Sequence, residues 1–298
     1  MRTPIFQLDA FTTRRFEGNP AAVMPMDRFL DDATLQAIAA ENNLAETAFL
    51  VPEDGDYRLR WFTPLVEVPL CGHATLASAA VVMEQLEPGR STVVFHSASG
   101  PLTVKRAGTS YVMDFPARPS ELVSTLPGLA EALDVVPIEV YVNAFNYMAV
   151  LDSAQAVRGL APDMAAIARM DRLGVIVTAP ADAAWEGRPG PIAAAEWEGR
   201  PGPIAWEHRP DPIAAGGRSH SYDFISRYFA PAKGIPEDPV TGAAHCMLAP
   251  YWAKRLGKTE FRAYQASQRG GEIICRLIGD RVELEGNCVF YLQGEVEI

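Results

Sequence analysis

Apolar and polar residues alternate in short runs along most of the chain, the period-two signature of half-buried strands. PIFQLDAF (4–11) and AAVMP (21–25) flank the turn FEGNP (16–20), where Gly18, Asn19 and Pro20 supply bend chemistry. DDATLQAIAAENN (31–43) changes period: Leu35, Ile38 and Ala39 share one helical face, and Asp31 or Asp32 can cap it. Strand patterns resume at ETAFLVP, YRLRWFT, STVVFHSA, LTVKRA and SYVMDFP. Between the second and third of these lies GHATLASAAVVMEQL (72–86), apolar nearly all round, as an enclosed helix must be.

The second half repeats the plan. IEVYVNAF, YMAVLD and LGVIVTA read as strands, with PDMAAIARM a helix between the last two. SYDFISRYFAP is followed by a second enclosed helix, GAAHCMLAPYWAKRL (242–256), in which Pro250 predicts a kink. TEFRAYQAS, EIICRLI, RVELEG and CVFYLQG close the chain as strands. The pattern predicts an α+β protein of two halves, each a mainly antiparallel sheet wrapped around its own helix. The domains are expected at 1–117 and 118–285, meeting near PARP (116–119), with the last strand (286–298) able to return to the first domain. WEGRPGPIA at 185–193 recurs at 197–205, and WEHRPDPIA follows at 206–214. Its glycine and proline content reads as a locally duplicated insertion, 183–217, outside both cores.

Bulk properties narrow the function. A net charge of −11 argues against a nucleic-acid partner, and no apolar run reaches the length of a membrane span. The first residues, MRTPIFQLDAF, lack a signal-peptide core, so a cytoplasmic enzyme is expected. Four cysteines, Cys71, Cys246, Cys275 and Cys288, show no CxxC spacing. Cys275 and Cys288 fall in apolar strands and read as core.

Two corners carry the candidate chemistry. EVPLCGHATLASA (67–79) and EDPVTGAAHC (237–246) each pass from an acid through a proline and a glycine turn into a small-residue helix. A helix start offers free N–H groups and a positive dipole end, a ready site for a carboxylate. Gly72 and His73 occupy the first start; Thr241, Gly242 and Ala243 occupy the second. Asp238 precedes proline, so its backbone is extended and its side chain can leave the turn. Glu46 lies at the edge of an apolar strand, where desolvation raises a carboxyl pKa toward that of a proton shuttle. Asn19 is a further substrate-binding candidate. Spacing alone leaves ordinary helix caps as an alternative for each corner.

ENNLAETAFL, EVPLCGHATLASA, MDFPARP, YDFISRYFAP and EDPVTGAAHC, in this order, closely resemble the phenazine-biosynthesis PhzF-like family, within the diaminopimelate-epimerase-like fold superfamily. The resemblance spans the first strand to the last, interrupted by the tryptophan repeats. It implies two pseudo-symmetric domains, each a mainly antiparallel, barrel-like sheet wrapped around a central helix, with the active site between them, no metal, no organic cofactor and a homodimer. It places the family's proton-shuttling glutamate on Glu46, its cleft histidine on His73 and its corner aspartate on Asp238. The family's serine after TG is Ala243 here, so a hydroxyl is missing while the backbone N–H remains.

The leading expectation is a cofactor-independent isomerase that moves a proton on a small carboxylate substrate through Glu46. A second is a racemase or epimerase using one thiol from each corner, Cys71 and Cys246. A third is a small-anion binding protein without turnover.

Overall fold

A computed structural model describes residues 2–124, 126–181 and 222–298. The tryptophan repeats and the expected 183–217 insertion fall outside the described residues, between two neighbouring strands of the C-terminal half.

Alternation builds the N-terminal half from β1 (Arg2–Ala10), β2 (Asn19–Pro25), β3 (Glu46–Glu53), β4 (Asp56–Phe62), β5 (Glu67–Val68), β6 (Thr92–Ser97), β7 (Gly100–Ala107), β8 (Ser110–Pro116) and β9 (Glu121–Val123). Helix α1 (Asp32–Asn42) joins β2 to β3, and α2 (Gly72–Val81) joins β5 to β6. Asp31 caps α1 by accepting from Thr34 N at 3.0 Å. The enclosed helix α2 is buried at every residue and ends in a π-helical turn over Val82–Leu86.

The C-terminal half has α3 (Leu129–Leu133), β10 (Glu139–Val142), β11 (Asn146–Val150), α4 (Ala154–Arg158), α5 (Met164–Ala168), β12 (Gly174–Pro180), β13 (Phe224–Ala230), β14 (Ile235–Glu237), α6 (Gly242–Leu256), β15 (Glu260–Gln265), β16 (Gly271–Ile278), β17 (Arg281–Gly286) and β18 (Cys288–Glu297).

Strand pairing shows the internal repeat. In the first half β1–β2, β3–β4, β6–β7 and β7–β8 are antiparallel, while β2–β3 and β4–β6 are parallel. In the second, β10–β11, β12–β13, β15–β16 and β16–β17 are antiparallel, while β11–β12 and β13–β15 are parallel. The halves join through the antiparallel pair β8–β17. The strand that follows each half's run pairs with the other half's start: β9 with β10, and β18 with β1. This mainly antiparallel α+β arrangement matches the class the periodicity predicts.

One core holds both central helices. Leu76 and Ala77 of α2 share it with Leu8, Val23, Trp61 and Val104, while Met247, Leu248 and Trp252 of α6 share it with Phe224, Phe261 and Leu284. Fully burying an aliphatic side chain such as Leu76 stabilises by about 1.5–3 kcal/mol. Cys275 is fully buried as its strand pattern predicts, whereas Cys288 is half-buried at the start of β18.

Helix α6 runs as one element through Pro250. A proline lacks the N–H that would bond the carbonyl four residues back, here Cys246. The Arg118 N–H, from the segment linking the halves, fills that vacancy and donates to Cys246 O at 2.8 Å. The proline therefore creates a docking point for the linker.

Candidate active site

The two helix starts meet. A Cβ added to Gly72 would lie 3.5 Å from the Gly242 Cα, so the first turns of α2 and α6 abut at their glycines. The corners superpose in sequence without a gap, Cys71 on Thr241, Gly72 on Gly242 and His73 on Ala243. Neither N-cap side chain caps its own helix. The Thr241 hydroxyl instead donates to Asp238 Oδ2 at 2.6 Å, and the Thr241 N–H donates to Gln265 Oε1 at 2.8 Å. A cleft of about 80 Å³ opens here, lined by Glu46, Cys71, Gly72, His73, Asp238, Thr241, Gly242 and Ala243 among others.

Each side chain is placed by its element. Glu46 is the first residue of β3, delivered there by α1 and the left-handed Asn43 that ends it. Asn19 is the first residue of β2, two places before Ala21, the parallel partner of Glu46. Gly18 precedes it at φ +67°, and a Cβ there would lie 2.2 Å from Ala10 O, so only glycine makes the turn. Asn19 Nδ2 lies 2.6 Å from Asp238 Oδ1, 2.9 Å from Val240 O and 3.0 Å from His73 Nδ1. Asp238 is held further by its own N–H on Tyr228 O and its carbonyl on Gln265 Nε2. Its neighbour Glu237 is turned away, in a bidentate pair with Arg227. The two acids of EDPVTG therefore divide: Glu237 ties down the hairpin and Asp238 faces the cleft. Glu41 lies exposed on α1.

Glu46 Oε2 and His73 Nε2 approach to 3.2 Å. The contact is out of line for a hydrogen bond, and both atoms are buried without a hydrogen-bonding partner. Burial holds the His73 imidazole down at about 3, the Pro20 carbonyl opposing weakly, so the ring is neutral at physiological pH. Burial, then repulsion from Asp238, pushes the Glu46 carboxyl up to about 8. Burial also raises Asp238, to about 6, against the hydrogen bonds from Thr241 and Asn19 that favour its ionised form. Two adjacent carboxyls thus share about one proton near neutrality, and Asp238, with the donors, is the readier to ionise.

The two thiols part company. Cys71 lies in the cleft, its Sγ 3.5 Å from His73 Nδ1, with its pKa raised by burial and by Glu46. Cys246 sits one helical turn inside α6 and donates to Gly242 O at 3.7 Å, with burial holding its thiol up at about 12. It does not line the cleft. In the repeat the counterpart of Cys71 is Thr241, and the expected pairing of Cys71 with Cys246 across one site does not form. Glu46, Cys71 and His73 each offer a metal-ligand atom within 4.8 Å of one another. Binding a metal there requires both thiol and carboxyl to lose protons, which burial opposes for each.

Several cleft residues are not among the candidates named from the sequence, although one of them, Arg118, lies within MDFPARP. Asn146 opens β11 as Asn19 opens β2, a match visible when the halves are aligned, and its Oδ1 accepts from Tyr228 OH at 2.9 Å. Arg118 and Lys233 also line the cleft, as do Phe145 and Leu173 at its mouth. No sequence signal marks Gln265, which reaches the corner from β15.

The structure is a two-halved, mainly antiparallel α+β fold with two buried carboxyls, Glu46 and Asp238, in the cleft where two helix starts meet. The family model for "Phenazine biosynthesis-like protein" matches residues 8–188 and 210–294. A Pseudomonas aeruginosa protein named an uncharacterized isomerase is 44% identical, with all of both chains covered. The crystal structure of a phenazine biosynthesis PhzF family protein from Enterococcus faecalis superposes with a TM-score of 0.84 at 38% identity, covering both chains completely. A predicted epimerase from Pseudomonas aeruginosa shares the fold at a TM-score of 0.69 and 22% identity, covering 99% of each chain. The chain belongs to the phenazine biosynthesis-like (PhzF) family. No helix among the described residues is long and apolar enough to cross a membrane.

Proposed function

We propose that this protein is an isomerase that needs no cofactor and shifts a proton on a small carboxylate substrate. The observation that carries the reading is the Glu46 Oε2 atom: buried, without a hydrogen-bonding partner, beside a neutral imidazole, in the cleft where two uncapped helix starts meet. A substrate carboxylate settles on the N–H groups of Gly72, His73, Gly242 and Ala243. Ionised Glu46 takes a proton from carbon, and its raised pKa makes it a stronger base than a surface glutamate. The same carboxyl returns the proton to another carbon of the substrate. His73 faces the developing charge as a neutral group, and Asp238 sets the proton affinity of Glu46 by repulsion. Isomerase is also the name carried by the Pseudomonas relative.

The two-thiol epimerase reading has less support, because Cys246 lies behind the α6 backbone. The binding-protein reading predicts no isotope exchange. Incubating the protein with a small-molecule extract in D2O, followed by mass spectrometry, separates the readings. Wild type is expected to add deuterium to at least one carboxylate. Glu46→Gln should lower that rate by about 10²–10⁴-fold, the usual contribution of a general base. Exchange that survives in Glu46→Gln rejects the glutamate.

A further inference from the structure

Lys233 and Arg118 stand over the cleft from two separate parts of the chain. Lys233 ends the single 3-10 turn between β13 and β14, its Nζ 5.7 Å from the centre of the Tyr228 ring. It lines the cleft with Glu46, Cys71 and Asp238, and its charge favours the ionised form of each. Arg118 is anchored by its backbone N–H on Cys246 O, with its guanidinium 4.3 Å from the centre of the Phe145 ring. Among the described residues neither cation forms an ion pair with a carboxylate, although other arginines, such as Arg227 and Arg255, do. Both are half-buried, so their charges are only partly screened by water.

The electrostatic balance of the cleft is therefore the reverse of the chain's. The protein carries −11 overall. The cleft sets two cations against Asp238 and a Glu46 that is largely protonated at neutral pH, and each helix start adds about half a positive charge. The cleft is positive by about one charge with Glu46 ionised and by about two while it holds its proton, and the positive charge lies in two places, the helix starts and the pair of cations. The enclosed part of the cleft measures about 80 Å³ and opens past Phe145 and Leu173, which suits a small substrate.

We propose that the substrate is a small dianion, such as a C4 or C5 dicarboxylate, with one anionic group on the paired helix starts and the second on Lys233 and Arg118. This rests on the anion-binding part of the proposed isomerase reading and names its substrate class. Lys233 and Arg118 are specificity residues here. They take no part in proton transfer.

Calorimetric titration with succinate, glutarate and propionate at constant ionic strength tests it on the full chain. Succinate or glutarate should bind at least about tenfold more tightly than propionate, as a charge-assisted contact on the second carboxylate requires. Lys233→Gln and Arg118→Gln should each cut that preference and leave propionate binding in place. Lys233→Arg should retain it, which separates charge from fold damage. Equal affinities in wild type, no binding of either dicarboxylate at tens of millimolar, or a preference that survives the Lys233→Gln/Arg118→Gln double variant overturns the proposal. Glu46→Gln keeps the preference whether or not Glu46 is the base, so failure of the proton-transfer reading stays distinguishable.

Discussion

Asn19 Nδ2 reaches across the molecule to Asp238 Oδ1 at 2.6 Å, and these residues lie 219 positions apart in the chain. The same nitrogen contacts Val240 O and His73 Nδ1. One amide thus ties Asp238 and the second corner to His73 of the first.

Asn19→Ala is expected to lose more stability at high pH than at low pH. The hydrogen bond favours ionised Asp238, whose carboxyl already sits at about 6 in the folded protein. Without that bond its folded value rises further above the ordinary 3.8, and a raised carboxyl loses stability as pH climbs through it. The penalty should approach about 1.5–3 kcal/mol above neutrality, the range for a hydrogen bond to a charged group. Urea denaturation of both proteins at acid and at alkaline pH measures it; an equal penalty at both would reject the linkage.

Glu46→Gln should flatten the pH dependence of stability. The ordinary glutamate value is 4.5 and the folded value about 8, so the wild-type contribution is complete below 4.5 and lost progressively as pH rises through 8. The variant cannot ionise there and escapes the loss. Its advantage over wild type should grow with pH across that window, at up to about 1.4 kcal/mol per pH unit, and then level off. Parallel denaturation profiles for the two proteins would show that Glu46 keeps an ordinary pKa.

Cys246→Ala and Cys71→Ala should both retain most isotope exchange. Cys246 is a core group with a cost of about 1 kcal/mol for its small cavity. Cys71 borders Glu46 and keeps its proton, so it is a poor base. Loss of exchange in Cys71→Ala, with exchange intact in Glu46→Gln, would favour a thiol mechanism.

Pro250→Ala should stabilise far less than the about 3 kcal/mol usually recovered when a proline leaves a helix interior. The vacancy it leaves at Cys246 O is already filled by the Arg118 N–H. Equilibrium unfolding of the variant checks this. A gain near the full value would mean that the linker contact contributes little.

The elements and the candidate chemistry were legible in the sequence to different degrees. The central helix 242–256 was visible to the residue, because small and apolar side chains run all round it between a glycine turn and Gly257. The enclosed helix from Gly72 was visible too, although its last turn is π-helical. Strands β5, β9 and β14 were missed at two or three residues each, too short for alternation to register. Glu46, His73 and Asp238 could be named from motifs. Helix α6 continues as one element through Pro250, and the Arg118 N–H supplies the donor that the proline lacks.

Local pattern and residue chemistry determined the α+β class, the duplicated corners and which side chains could carry a charge or a proton. These are near-neighbour properties of spacing, turn chemistry and polarity. The sequence order of the corners also allowed Cys246 to look like the mate of Cys71; the folded chain put Thr241 in that place and turned Cys246 inward, since a residue one turn further along α6 points elsewhere. Tertiary structure alone decided that Asp238 acts on Glu46, that Gln265 joins Asn19 at the second corner, and that two cations line the cleft. Those outcomes depend on strands far apart in sequence pairing in one sheet, and desolvation and Coulomb repulsion act on distances in space.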